Sequence, residues 1–439
     1  MSLITTVAQP DTELALQRTT QGPALAILSS VFFMWGFISC LNDILAPHLK
    51  SVFALNYTQT MLIQLVFFGT YFFISLPAAR LLELIGYKNS IAVGLITTGI
   101  GALVFVPAAT QASYNIFLAA LFILAAGITT LQVAANAYVA ILGPPATASS
   151  RLNLVQAFNS LGTTLAPWFG GLLILSRSTS GLTQGNSAVL TIEQRMQDAL
   201  AVRVPYIGIA IMLFALALLI LFWRLPRVST RPDPTGVSHD HVWRHPRLIL
   251  GILAIFFYVG AEIAVGSFLI NYVSSPSVVP MSHASASFYV SLFWGSAMTG
   301  RFLGSAVMRR VSPARVLIGA TLGAFGLLAI SIGTTGHVAL WAVVLVGLMN
   351  SIMFPTIFTL SIAGLGKLTA RGSALLIMAI VGGAVIPVVQ GAIADRFGLR
   401  IAFLAPLLCY LYVFYFAIHC VRHPPTALLD SVASGPLPP

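Results

Sequence analysis

The sequence predicts an all-α membrane protein in which twelve transmembrane helices form two pseudo-symmetric six-helix bundles. Three observations carry that prediction. The 439 residues are 58% hydrophobic and only 8% charged, whereas a water-soluble chain carries roughly a quarter charged residues; there is too little polar surface to cover a soluble particle. Apolar stretches of about 20 residues, the length that spans a bilayer, recur along the whole chain. The spacing of the polar residues inside those stretches repeats between the two halves.

The first six spans fall near 24–47, 60–82, 89–109, 114–142, 152–175 and 204–223. The second six fall near 247–273, 284–308, 314–333, 337–364, 372–392 and 399–420. This divides the chain into an N-terminal tail (1–23), a first bundle (24–223), a linker (224–246), a second bundle (247–421) and a C-terminal tail (422–439). With the N-terminus inside, 15 of the 22 Lys and Arg residues fall on the inner side and six on the outer, with Arg301 inside a span. Short connections on the cytoplasmic side carry such an excess, so both termini are expected in the cytoplasm and the chain in the plasma (inner) membrane.

The same placement explains the net charge of +11. The basic residues sit in short connections, without the interleaved surface aromatics that would suggest nucleic acid. Residues 1–22 lack a basic stretch leading into a short apolar core, so they read as a tail and not as a signal peptide. Cys40, Cys409 and Cys420 have no metal-ligand spacing, and an odd number of thiols in apolar spans argues against a disulfide framework. No catalytic pair is visible and no connection is large enough for a soluble enzymatic domain, which points away from an enzyme. Two connections are long, the polar, external 176–203 and the linker. A monomer in the lipid bilayer is expected, with no cofactor.

The internal repeat is read from spacing. Asp43 to Arg151 is 108 residues and Glu262 to Arg371 is 109, while Arg151 to Pro167 and Arg371 to Pro387 are both 16. Each half thus has an acid in its first helix and an Arg at the entry of its fifth. Such symmetry marks transporters, whose ligand lies near mid-membrane between the halves.

Polar side chains inside the spans are candidates for that site. A carboxylate in an apolar segment is expensive in lipid and should face an internal cavity. Asp43 and Glu262 meet that condition and are the candidate cation-coupling groups, with sodium the candidate metal at Asp43. Trp35, Asn42, Asp43, Gln132, Asn136, Gln156, Asn159, Glu262, Trp294 and Asn350 are the candidate substrate contacts. Amides and carboxylates hydrogen-bond hydroxyl groups, and an aromatic face packs on the apolar face of a sugar ring. The set lacks a buried cation cluster, which suits a neutral polyhydroxylated ligand better than an anion. Arg80, Arg151, Arg301 and Arg371 read as cytoplasmic gating or anchoring residues, and Tyr410, Tyr412, Tyr415 and Phe416 as lipid-facing or interfacial aromatics.

Several segments carry a resemblance: Trp35-Gly-Phe-Ile-Ser-Cys-Leu-Asn-Asp43, Leu131-Gln-Val-Ala-Ala-Asn136, Leu142-Gly-Pro144, Arg151-Leu-Asn-Leu-Val-Gln-Ala-Phe-Asn159-Ser, Gly260-Ala-Glu262 with Gly266-Ser-Phe, and Gly391-Ala-Ile-Ala-Asp395-Arg. On these the chain resembles the major facilitator superfamily, and within it the fucose/glucose/galactose-proton symporter family. The connection Arg80-Leu-Leu-Glu-Leu-Ile-Gly86-Tyr-Lys88 is similar to the superfamily's gating loop. The resemblance implies two bundles rocking about a central sugar site. It also implies cation-coupled import, by proton or sodium, of a neutral hexose such as glucose, galactose or fucose; a facilitative uniporter or an exporter of the same fold is the alternative. In fucose/proton members an acid matching Asp43 and a Glu matching Gln132 take part in coupling and sugar binding. Gln132 cannot titrate, and Glu262 with its Gly-Ala-Glu context matches the glucose/galactose members instead.

Overall fold

The structure, a computed structural model, describes residues 22–40, 57–111, 113–173, 203–223, 225–226 and 241–424. The described residues are helical, without a strand among them. Twelve helices are numbered here in chain order. In the first half they are α1 Gly22–Cys40, α2 and α3 as two arms (57–85 and 87–110) of Tyr57–Thr110, α4 Tyr114–Ile141, α5 Ala148–Leu173 and α6 Arg203–Phe222. The second half has α7 Pro246–Val273, α8 His283–Val307, α9 Pro313–Gly333, α10 Gly336–Ile362, α11 (369–397) and α12 Leu399–Arg422. The expected spans 2 to 12 each coincide with one of these, to within a few residues at the ends. Of the first span, residues 41–47 lie outside the described part, as do both tails and most of the linker and of the 176–203 connection.

Local sequence sets the joints. The break between α2 and α3 falls on Gly86, at φ 79°, ψ 171°, a conformation that glycine adopts without the steric penalty other residues incur. Gly398, at φ 86°, separates α11 from α12 in the same way. In α10 the regular helix stops at Asn350 and resumes at Met353. Pro355 has no N–H to give the carbonyl four residues back, so the Ser351 carbonyl is released from the helical ladder.

The repeat is visible in how helices approach each other. Gly162 in α5 lies so close to α1 that a side-chain carbon there would overlap the Phe33 carbonyl oxygen. Its counterpart 220 residues on, Gly382 in α11, meets the Phe256 carbonyl oxygen of α7 in the same manner. Small residues that let backbones meet are the usual means of packing helices in a bilayer, where tails are as apolar as leucine. Across the halves α5 packs against α8, and α11 against α2, with Phe68 beside Gly383. These two pairs exchange under the repeat.

Most of the helices are apolar enough along their length to cross a membrane, but α5 and α8 fall short of that measure. The reason is their polar side chains. They carry Ser149, Ser150, Asn153, Gln156, Asn159 and Ser160 on one side and Ser296, Arg301 and Ser305 on the other, and they face each other between the halves.

The glycine contacts predict a test. Gly382→Val should lower the melting temperature of the detergent-solubilised protein by several degrees, since overpacking costs about 1–3 kcal/mol. Gly326→Ala, where no atom lies within 4 Å of the added carbon, should leave it unchanged or slightly raised, because Ala is the better helix former by about 1 kcal/mol.

Candidate functional site

A chain of hydrogen bonds links the two halves in the interior. It starts on α2, where the Tyr71 hydroxyl accepts from Gln132 Nε2 at 2.8 Å. Asn136, one turn along α4, donates from Nδ2 to the Gln132 carbonyl at 3.0 Å. Gln156 of α5 donates from Nε2 to Asn136 Oδ1 at 3.2 Å. All three amides are buried, at 0–3% exposure, so they are organised chiefly by one another.

Arg301 carries the line across to the second half. From α8 its Nη1 donates to the Gln156 carbonyl at 3.2 Å and to the Ser160 hydroxyl, both on α5. Its Nε donates to the Ser351 carbonyl at 3.1 Å, the acceptor released by Pro355. Beside it the Asn350 carbonyl accepts from the Tyr258 hydroxyl at 3.0 Å, and Asn350 Oδ1 accepts from the Tyr410 hydroxyl at 2.8 Å. The chain therefore runs from α2 through both halves to Ser351, and beside it Asn350 joins α7 and α12.

Glu262 sits next to this line on α7. It is one turn from Tyr258, whose hydroxyl bonds the Asn350 carbonyl, the neighbour of the Ser351 carbonyl that Arg301 holds. The residue is half-buried, yet its Oε1 is shielded and accepts no hydrogen bond. Gln132 Oε1 and Asn350 Nδ2 are likewise buried without a partner. Buried polar groups are ordinarily paired, so these atoms point to groups that a bound molecule or water would satisfy.

The candidates from the sequence separate into three kinds. Gln132, Asn136, Gln156, Glu262 and Asn350 are brought together along the line. Asn159 has its amide engaged elsewhere: Nδ2 donates to the Phe32 carbonyl of α1 at 2.9 Å, and Gly36 lies against its backbone. It clamps α1 to α5. Trp35 is half-buried and packs on Phe32 at 5.3 Å between ring centroids, while Trp294 is 38% exposed and its edge lies against Gly266 of α7. Asn42 and Asp43 lie outside the described residues.

The four arginines also differ from one another. Arg301 is placed in the polar line and not at the helix end. Arg151 donates to the carbonyls of Val139, Ala140 and Pro144 and to the Thr147 hydroxyl, which ties the α4–α5 turn together within its own half. Arg80 is exposed. Arg371 reaches across the halves to Glu83, Nε to Oε1 at 2.8 Å. The expectation that Tyr410 and Phe416 face lipid is corrected: both are 0% exposed, Tyr410 because Asn350 gives its hydroxyl a buried partner. Tyr415, at 53%, does lie outside.

Around Arg371 the two halves are joined by neutral hydroxyl and amide contacts. Ser149 and Thr359 share a hydrogen bond of 2.6 Å, Ser150 donates to the Ser305 carbonyl at 2.7 Å and Ser305 returns one to the Ser150 carbonyl at 2.9 Å. Asn153 donates to Thr356 at 3.3 Å and Ser373 to the Val133 carbonyl at 2.7 Å. At about 0.6 kcal/mol per interhelical bond, this latch is worth about 3 kcal/mol. The Arg371–Glu83 pair, with side chains 56% and 26% exposed, adds less than about 1 kcal/mol. Reversing a 1:99 equilibrium takes about 5.5 kcal/mol, so the latch is within reach of ligand binding.

Sequence reading missed Tyr71, Ser351 and the latch hydroxyls. It also missed Gln390 of α11, fully buried with both amide atoms unpaired. Pro355, four residues after Ser351, was the available signal for the freed carbonyl; single serines and tyrosines in apolar spans carried none. Among the described residues no group of three His, Cys, Asp or Glu side chains is arranged to hold a metal ion. An apolar groove of about 820 Å³ between α1, α5 and α6, lined by Leu25, Phe33, Phe158 and Met212 among others, is separate from the polar line.

A family model described as "Major Facilitator Superfamily" matches residues 27–379. The glucose/galactose transporter of Brucella abortus biovar 1 (strain 9-941) is 50% identical over 398 residues, 90% of this chain and 94% of that protein. The L-fucose-proton symporter of Escherichia coli (strain K12) is 36% identical over 403 residues, 89% of this chain and 92% of that one. A crystal structure of the transporter FucP in its outward conformation superposes with a TM-score of 0.83 at 35% identity, covering 90% of this chain and 98% of the other.

The latch predicts a cross-link. With Cys40 replaced by Ala, the pair Ser150→Cys and Ser305→Cys should oxidise to a disulfide that stops transport, and a reductant should restore it. Cross-linking without loss of transport would show that these ends need not part.

Proposed function

The chain belongs to the major facilitator superfamily, within the branch that holds fucose-proton symporters and glucose/galactose transporters, and from that premise we propose that it imports a neutral hexose, glucose or galactose, by proton-coupled symport. It is a multi-pass membrane transporter and not an enzyme. The observation that carries the sugar reading is the polar line of Gln132, Asn136, Gln156, Arg301 and Asn350 between the halves, with the unpaired Oε1 of Glu262 beside it. Hydroxyl groups of a sugar can donate to Glu262 Oε1 and Gln132 Oε1 and accept from Asn350 Nδ2. Trp35 or Trp294 supplies an apolar plate for the ring.

Asp43 is assigned the coupling proton, with Glu262 as a sugar ligand or second cation site. A carboxylate in a span is costly when charged, so its protonation favours movement through the membrane interior. Gln132, in the place of a titratable Glu of the fucose members, removes any relay through α4. Proton is preferred to sodium because the relatives with a stated coupling ion are named L-fucose-proton symporters. With the basic connections at the inner surface of the plasma membrane and both termini cytoplasmic, the latched end faces the cytoplasm and the state is outward-facing. Sugar and proton together would open the latch and close the outer side. The working unit is a monomer, and Arg371 with Glu83 belongs to the inner gate.

Uptake of labelled glucose and galactose into proteoliposomes tests the assignment. An imposed inward proton gradient should drive accumulation, and Asp43→Asn should abolish it while leaving exchange of labelled for unlabelled sugar across the bilayer. Accumulation driven by sodium alone, or surviving in Asp43→Asn, contradicts the coupling assignment. Exchange without any gradient-driven accumulation favours a uniporter.

A further inference from the structure

We propose that Glu262 and Arg301 form a charge-balanced pair that sets the substrate class: together they admit neutral sugars and exclude acidic ones, and loss of the carboxylate charge opens the site to hexuronates. The inference rests on the reading of the chain as a sugar transporter. Among the described residues, Arg301 is the cation that lies in the polar line between the halves; Glu262 lies one turn from Tyr258, whose hydroxyl bonds the Asn350 carbonyl next to the Ser351 carbonyl that Arg301 holds. The guanidinium carries a positive charge. Its hydrogen-bond acceptors, the carbonyls of Gln156 and Ser351 and the hydroxyl of Ser160, are all neutral, so they orient it without cancelling its charge. Glu262 supplies that cancellation.

The geometry also leaves hydrogen-bonding capacity on both members. The bonds of Arg301 to described residues draw on Nε and Nη1, which leaves Nη2 for a ligand oxygen. Glu262 Oε1 is shielded and unpaired, an acceptor waiting for a donor. A sugar diol offers both, a hydroxyl proton to Oε1 and a hydroxyl oxygen to Nη2. A sugar carboxylate would satisfy Nη2 but set a second negative charge against Glu262, and like charges brought together in this way are strongly disfavoured. With glutamine at 262 the shape and one acceptor remain, but Arg301 is unbalanced and attracts an anion.

Binding isotherms of the purified protein with galactose and galacturonate, and with glucose and glucuronate, test this. Wild type and Glu262→Asp should bind the neutral hexose and show no uronate binding. Glu262→Gln should gain uronate affinity relative to hexose by about tenfold or more, and Glu262→Gln with Arg301→Gln should lose that gain. Thermal melting of each variant establishes that it is folded. A folded Glu262→Gln without the gain, or a gain that persists when Arg301 is also removed, overturns the pair. Wild type that binds no hexose refutes the transporter reading itself, a separate result.

Discussion

Arg301 is the constraint around which the interior is arranged. A cation inside a span costs about 3 kcal/mol or more to insert, and its position requires acceptors on every side. Those acceptors come from both halves: the Gln156 carbonyl and Ser160 hydroxyl on α5, and the Ser351 carbonyl on α10. Each has its own cause in the sequence. Pro355 frees the Ser351 carbonyl, and Gln156 is fixed from behind by Asn136, which in turn is held by Gln132 and Tyr71. A change at any member would leave a buried group unpaired, at about 1–3 kcal/mol.

In the proposed transport cycle the same bridge would relate ligand binding to access. Arg301 and the latch residues Ser305 and Ser150 lie on the same two helices, one turn apart on α8 and about two turns apart on α5. Rocking of α8 against α5 must therefore break hydrogen bonds at both levels together. The contacts at the latch are neutral and individually weak, while those at the centre involve charge. Binding at the centre can thus be expected to govern the end. Asn159 extends the arrangement to α1, since its clamp on the Phe32 carbonyl positions the helix that leads toward Asp43.

The architecture was legible in the sequence because a bilayer permits few solutions: about 20 apolar residues per crossing, basic connections, and a repeat that the pairs Gly162–Phe33 and Gly382–Phe256 now express in contacts. The polar amides were legible for the same reason, as Gln132, Gln156 and Asn350 stand out against apolar neighbours. Their partners were not. Tyr410 looks like an interfacial aromatic until its hydroxyl is seen to meet the buried Asn350, and Tyr71 carries no signal until Gln132 is seen to meet it. Ser149 and Ser150 look like helix-start residues until α8 and α10 are placed opposite them. Arg301 sits near enough to the end of its span to be read as an anchor, and only the kink of α10 and the approach of α5 bring the polar line to it. Spacing along one chain records periodicity, whereas these contacts depend on which helices cross.

The central claim is that sugar binding at the Arg301 line parts the latched ends of the two halves. Spin labels on Ala146→Cys and Arg310→Cys, exposed positions on opposite halves at that end, allow the distance between them to be measured by pulsed electron resonance in lipid nanodiscs. Saturating hexose at acidic pH should shift the distance distribution to longer values, and the shift should vanish in Arg301→Gln. A distribution that stays unchanged while the sugar is shown to bind would contradict the account.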